Sequence, residues 1–123
     1  MQLIKGEIAD YRLDEEGVLY SFSKNPVRTV KNITENIALV KQITGGKKAP
    51  LLIYLCKTPI PDKETRKFST AQLPNVYTAM AMVSKPGLSK LIMNILFKFK
   101  QPPIPMKSFT NDKQAREWLK QYL

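Results

Sequence analysis

Apolar positions alternate near the start of this chain and then lengthen their spacing, and the change of period divides the sequence into elements. Over Gly17–Ser23, Val18, Tyr20 and Phe22 alternate with Leu19, Ser21 and Ser23. That two-residue period predicts a strand with one strongly apolar face. Glu7–Leu13 reads as a partner strand, and Asp14-Glu15-Glu16-Gly17 between them has the composition of a hairpin loop. Asn25-Pro26 ends the alternation. From Thr29 to Thr44 the period becomes helical, with Ile33, Ile37, Val40 and Ile43 on one face. Thr29 can cap this helix, Asn32 with Glu35 offers a second choice, and Gly45-Gly46 closes it.

The next segment, Leu51–Cys56, is apolar without alternation, as expected of a central strand covered on both faces. After the loop Pro59-Ile60-Pro61, Asp62 to Leu73 reads as a helix, with Asp62 near its start and Pro74 just past its end. Val76–Val83 is read as a strand, and Ser84-Lys85-Pro86-Gly87 breaks it. Leu88–Phe99 is a very apolar helix stopped by Gln101-Pro102-Pro103. Ile104–Phe109 is a short final strand, placed at a sheet edge because Pro105 cannot donate to a ladder. Asn111–Leu123 is the last helix. Asn111 and Gln114 resemble a capping box, and Ala115, Trp118, Leu119 and Tyr122 form the apolar stripe.

The order is therefore ββαβαβαβα. It predicts one α/β domain over residues 1–123, with a five-stranded, mixed but largely parallel sheet, an N-terminal hairpin and about four helices. The length of 123 residues and an apolar content of 43% suit one such core.

Charge adds a second level of organisation. The net charge of +10 is uneven: residues 1–36 sum to −1 and the remainder to +11. A positive field over the C-terminal two-thirds attracts nucleic acid, anionic lipid or an acidic protein, or serves solubility alone. Lys outnumbers Arg sixteen to four, and no run mixes basic with aromatic residues in the manner used to stack bases. No sequence-specific nucleic-acid binding is expected. Met1–Asp10 lacks the apolar run of a secretory signal, and no stretch approaches the roughly 20 residues of a membrane span. The single cysteine, Cys56, excludes an internal disulfide and suits a reducing cytoplasm.

The tail Phe109-Thr110-Asn111-Asp112-Lys113-Gln114-Ala115-Arg116-Glu117-Trp118-Leu119 runs from a strand ending in Phe through a polar cap to Ala-x-x-Trp-Leu. With Ala79-Met80-Ala81-Met82-Val83 before a break and an apolar helix, and Leu51–Leu55 after Gly45-Gly46-Lys47-Lys48, it resembles the SpoIIAA-like domains of STAS/Sec14 type. The resemblance spans nearly the whole chain. It implies the fold of the anti-sigma-factor antagonists, and by analogy a regulatory protein contact or an apolar ligand. Those antagonists carry a phosphorylatable Ser after a central strand. The matching segment here, Cys56-Lys57-Thr58-Pro59-Ile60-Pro61, has no Ser or Gly, which leaves Thr58 as the candidate phosphorylation position.

Few residues offer chemistry. There is no histidine, so histidine-based triads and histidine metal sites are excluded. Gly45-Gly46-Lys47-Lys48 lacks P-loop spacing and serves better as a helix stop. Cys56 beside Lys57 is a conceivable nucleophile, but a structural thiol accounts for it more simply. Asp62 and Glu64 are two apart, do not share a helix face, and suit the charge preference of a helix N-terminus. No catalytic residue, cofactor or metal ligand is assigned.

The richest segment is the helix Leu88–Phe99. Leu88, Leu91, Ile92, Ile95, Leu96 and Phe99 make one wide apolar face, which Met93 and Phe97 extend and Lys90 and Lys98 flank. Three readings fit: a helix buried against the sheet, a homodimer or partner surface, and a contact with lipid or anionic membrane. The expected function is a non-catalytic binding or regulatory module acting through protein contacts. The alternative is a protein that binds lipid or an anionic membrane surface.

Overall fold

A computed structural model describes residues 3–24, 26–55, 61–84 and 103–123. Six strands form one sheet in sequence order: β1 (Ile4–Lys5), β2 (Ala9–Leu13), β3 (Leu19–Ser23), β4 (Ala49–Tyr54), β5 (Tyr77–Val83) and β6 (Met106–Phe109). The pairs from β1 to β3 are antiparallel, and those from β3 to β6 are parallel. The expected five strands become six because Ile4 and Lys5 add a short edge beside Tyr11 and Asp10. Two residues are too few to show a period in sequence.

The hairpin forms as expected, and Asp14 organises its loop. Its Oδ1 accepts from the N–H groups of Glu16, Gly17 and Val18, each at 2.9 Å. Gly17 sits at φ 102°, where a Cβ would be strained. The strands are shorter than predicted, starting at Ala9 and Leu19. The one-faced reading of β3 needs correcting: Leu19 and Ser21 are as buried as Val18 and Tyr20. An interior strand with helices on both sides has no solvent face.

Three α-helices lie among the described residues: α1 (Val30–Thr44), α2 (Lys63–Val76) and α3 (Asp112–Leu119). A 3₁₀ turn over Lys120–Tyr122 follows α3. Thr29 caps α1 by accepting from the Asn32 N–H at 3.1 Å, and Asn32 Oδ1 accepts from the Thr29 N–H at 2.7 Å. Asn32 is thus the partner in a capping box rather than a rival cap. Gly45 ends the helix at φ 67°. Asp62 caps α2 through the Thr65 N–H at 2.7 Å. Asn111 caps α3, accepting from Lys113 and Gln114.

Two prolines sit inside elements: Pro74, which was expected to lie just past the end of its helix, and Pro50, one residue ahead of the strand expected from Leu51. β4 starts at Ala49 and includes Pro50. Its register to β5 shifts between Ala49 and Pro50, since Ala49 faces Tyr77 while Pro50 faces Ala79. Thr78 falls outside the ladder, a bulge of the kind that admits proline to an interior strand. Pro74 lies in the last turn of α2, which runs on to Val76 and closes with the Tyr77 N–H on the Leu73 carbonyl. So near the end, the missing N–H removes only a terminal bond. The final strand lies at the sheet edge as expected but starts at Met106, so Pro105 falls just ahead of it, and its carbonyl accepts from Met80 N–H at 2.9 Å.

Each face of the sheet has its own core. α1 and α2 cover one face with Val40 and Val76 over Tyr11, Leu19, Leu51 and Met80. The sheet grows in one direction through parallel crossovers, so the right-handed rule puts both helices on one side. On the opposite face α3 lays Ala115 and Leu119 on Val18, Leu52, Ala79 and Ala81. Trp118 and Tyr122 complete the predicted stripe at its edge.

Candidate ligand-binding cavity

The alternation that builds the sheet also gathers its polar side chains. In the β2–β3 register, Tyr11 lies directly across from Ser21, so both point to the α1 and α2 side. Tyr77 heads β5 on that side, 6% exposed, and Tyr11 is only 2% exposed. From above, α1 presents Ile33, Asn36 and Ile37. These groups, with Leu73 and Ser69 of α2, line a cavity of about 160 Å³ between both helices and the sheet.

The Tyr11 hydroxyl is the hub of the polar wall. Asn36 Nδ2 donates to it at 2.6 Å. Burial pushes the Tyr11 hydroxyl above its ordinary range, against the pull of hydrogen bonds with Asn36, Ser21 and Tyr77. Burial, followed by the neighbouring Tyr11, raises Tyr77 well above its ordinary range. Both phenols therefore stay neutral at physiological pH. Asn36 Oδ1 is buried and has no hydrogen-bond partner among the described residues. A buried acceptor left in that state carries a desolvation cost of about 1–3 kcal/mol.

Arg28 is the one charged residue among the described residues lining the cavity. Its guanidinium is tied to backbone: Nη1 donates to the Lys24 and Pro26 carbonyls at 2.6 Å each, and Nη2 to the Ile8 carbonyl at 3.0 Å. It fastens the loop before α1 to the hairpin. The described lining offers hydroxyls, amides, the Arg28 guanidinium and apolar walls, with no carboxylate, thiol or amine among the described lining residues. Such a set can hold a molecule.

The opposite face carries two cation–aromatic pairs. Arg12 lies over the Tyr20 ring at 4.6 Å and Lys107 over Phe109 at 5.5 Å. The first pair joins two strands, whereas Lys107 and Phe109 are two apart on one face of β6. Tyr20 is 3% exposed, so its ring packs internally rather than offering a stacking surface. Phe22 stacks on Tyr54 at 5.0 Å, and the Tyr54 hydroxyl donates to Asp112 Oδ2 at 2.9 Å.

The residues singled out from sequence fall elsewhere. Leu88, Lys90, Leu91, Ile92, Ile95, Leu96, Lys98 and Phe99, with Cys56 and Thr58, lie outside the described residues. Asp62 serves as the cap described above, with Glu64 in the first turn of α2. Among the described residues, no group of three or more His, Cys, Asp or Glu is placed to hold a metal, and no helix is long and apolar enough to cross a membrane. The cavity residues went unselected in the sequence, although Asn36 carries a signal: it interrupts the inward stripe of Ile33, Ile37 and Val40.

A mixed sheet entered by a hairpin, with two crossover helices on one face and the C-terminal helix on the other, defines a SpoIIAA-like α/β protein. An uncharacterised protein of the DUF3478 family from Shewanella loihica PV-4, described as having a SpoIIAA-like fold, superposes with a TM-score of 0.63 at 14% identity. The match covers 97% of this chain and 98% of that one. A protein of unknown function from Arthrobacter sp. FB24 aligns over 94% of this chain and 96% of its own, at 18% identity and a TM-score of 0.35. The chain itself belongs to the DUF7793 family, a domain of unknown function whose family model matches residues 11–123. No curated protein matches it.

Proposed function

We propose that this chain is a non-catalytic binding module that holds a small molecule between α1, α2 and the sheet. The observation that carries the reading is the cavity of about 160 Å³ with a hydroxyl and amide cluster in one wall. The site combines apolar walls with a few convergent polar groups, the composition of ligand pockets. The absence of a proton-carrying group in the described lining favours binding over turnover.

A regulatory role through protein contacts is supported by the loop at the cavity wall. Val27 and Val30 are 53% and 46% exposed on either side of Arg28, which lines the cavity. Occupancy of the cavity can thus be felt at an exposed apolar surface.

The test is a protein NMR titration with toluene, followed at the methyl groups of Ile33, Ile37, Leu51 and Ile53. Saturable shifts at these methyls, lost in Ser69→Leu, are the expected result. Shifts absent from them, or unchanged in Ser69→Leu, overturn the reading.

A further inference from the structure

We propose that the half-open pocket between α1, α2 and the sheet takes a small monocarboxylate with an apolar body about the size of one aromatic ring, and that Arg28 supplies the charge that selects it. This inference rests on the binding reading above and adds the chemical class of the ligand.

Size and lining set the body of the ligand. The volume of about 160 Å³ is close to that of the engineered apolar cavities, about 150 Å³, that accept benzene. Ile37, Leu51, Ile53 and Leu73 wall the pocket with aliphatic surface, which favours an apolar ring and gives an inorganic anion nothing to bury against. The charge stands at one end. In the β2–β3 register Ser23 lies across from Ala9, the residue after Ile8, and Ser21 lies across from Tyr11. Arg28 donates to the Ile8 carbonyl, which places it at the Ser23 end. A ligand that fits this order has an apolar body and a charged head.

Arg28 sets the sign and shape of that head. It is the one charged side chain among the described lining residues, and no carboxylate is among them. Its guanidinium donates to the carbonyls of Lys24, Pro26 and Ile8. Carbonyl groups are neutral, so these bonds orient the positive charge without cancelling it. The charge is felt inside the pocket: burial raises the Tyr11 hydroxyl, and Arg28 is among the groups that pull it back. A half-buried charge is screened less than one at the surface, and a guanidinium already held in position binds without the cost of ordering a loose side chain. Its planar fork matches a carboxylate. One positive charge suits a monoanion, leaves the second charge of a dianion uncompensated and repels a cation.

The experiment titrates the full chain at neutral pH with benzoate, benzamide and benzylammonium, followed by NMR at the methyl groups of Ile37, Leu51 and Ile53. Benzoate is expected to bind roughly tenfold more tightly than benzamide, the scale of one charge-assisted hydrogen bond, and benzylammonium more weakly than both. In Arg28→Gln the preference for benzoate should vanish while benzamide still shifts the same methyls. Benzoate that binds no more tightly than benzamide or benzylammonium to the unmodified protein overturns the anionic class, and the binding reading stands if benzamide or toluene still shifts these methyls. A benzoate preference that survives Arg28→Gln overturns the role of Arg28. Benzoate that binds without shifting these methyls sits on the lysine-rich surface and overturns the inference as well. If no probe, toluene included, shifts them, the binding reading fails too. The comparison of benzoate with benzamide is made on the unmodified chain, so a loosened loop in Arg28→Gln does not remove the test.

Discussion

The two faces of the sheet are filled in opposite ways. Under α3, Ala79, Ala81 and Ala115 meet Leu52 and Leu119, all buried, and the small side chains let the helix settle close to the strands. Under α1 and α2, larger residues and five hydroxyls surround a half-open pocket of about 160 Å³. The same strands serve both: Leu52 faces α3 while Leu51 and Ile53 face the cavity side. The contrast teaches that close packing on one face can fix the sheet, which frees the other to hold polar groups and empty volume.

The sharpest way to break this comparison is to delete the same side chain on each face. Leu52→Ala removes three heavy atoms where the neighbours are closely packed, and should cost about 2–5 kcal/mol. Leu73→Ala borders a cavity and a half-exposed helix face, so it should cost about 2 kcal/mol or less. Urea denaturation followed by circular dichroism measures both. Equal losses would show that the faces do not differ in packing.

Adding volume should reverse the order. Ala81→Leu forces a branched side chain against Leu52 and α3, with an expected cost of about 1–3 kcal/mol from overpacking. Ser69→Leu grows into existing space and should stay within about 0.5 kcal/mol of the parent, or raise the melting temperature. A large loss from Ser69→Leu would mean that the space is not available to a side chain.

How much of this contrast is legible in the sequence depends on distance along the chain. The hairpin, α1 and α3 were readable because their signals are local: Asp14 to Gly17 for the loop, Thr29 and Gly45 for the ends of α1, and the Ala115, Trp118, Leu119, Tyr122 stripe. β1 exists only because β2 pairs with it. Pro74 reads as a stop because a proline's tolerance in the last turn of a helix is something only the fold supplies. The cavity cluster is harder still. Tyr11 and Asn36 are 25 positions apart, and Tyr77 comes from a third element. The densest apolar run, Leu88–Phe99, stands out in the sequence instead, because density is visible locally and convergence is not.

The smallest expected effect separates the faces by pH. On the α3 side, Tyr54 donates to Asp112 at 2.9 Å, and its hydroxyl is pushed up to about 12, first by burial and then by the hydrogen bond and charge of Asp112. An unfolded tyrosine titrates near 10. The folded state thus prefers the neutral phenol more strongly than the unfolded state does. Its contribution is complete below about pH 10 and is lost as the pH rises from about 10 towards 12. On the cavity side, Tyr11 and Tyr77 are raised by burial and add a loss of the same sign. Tyr54→Phe should cost about 1 kcal/mol at neutral pH by removing one hydrogen bond. It should also remove part of the alkaline loss and leave the share that belongs to the cavity tyrosines. Melting temperatures recorded between pH 8 and pH 12, roughly the span of tyrosine titration, would show this as a shallower decline in the variant. A decline unchanged by Tyr54→Phe would assign the whole alkaline sensitivity to other tyrosines and remove the Tyr54–Asp112 contact from the account of how α3 is held.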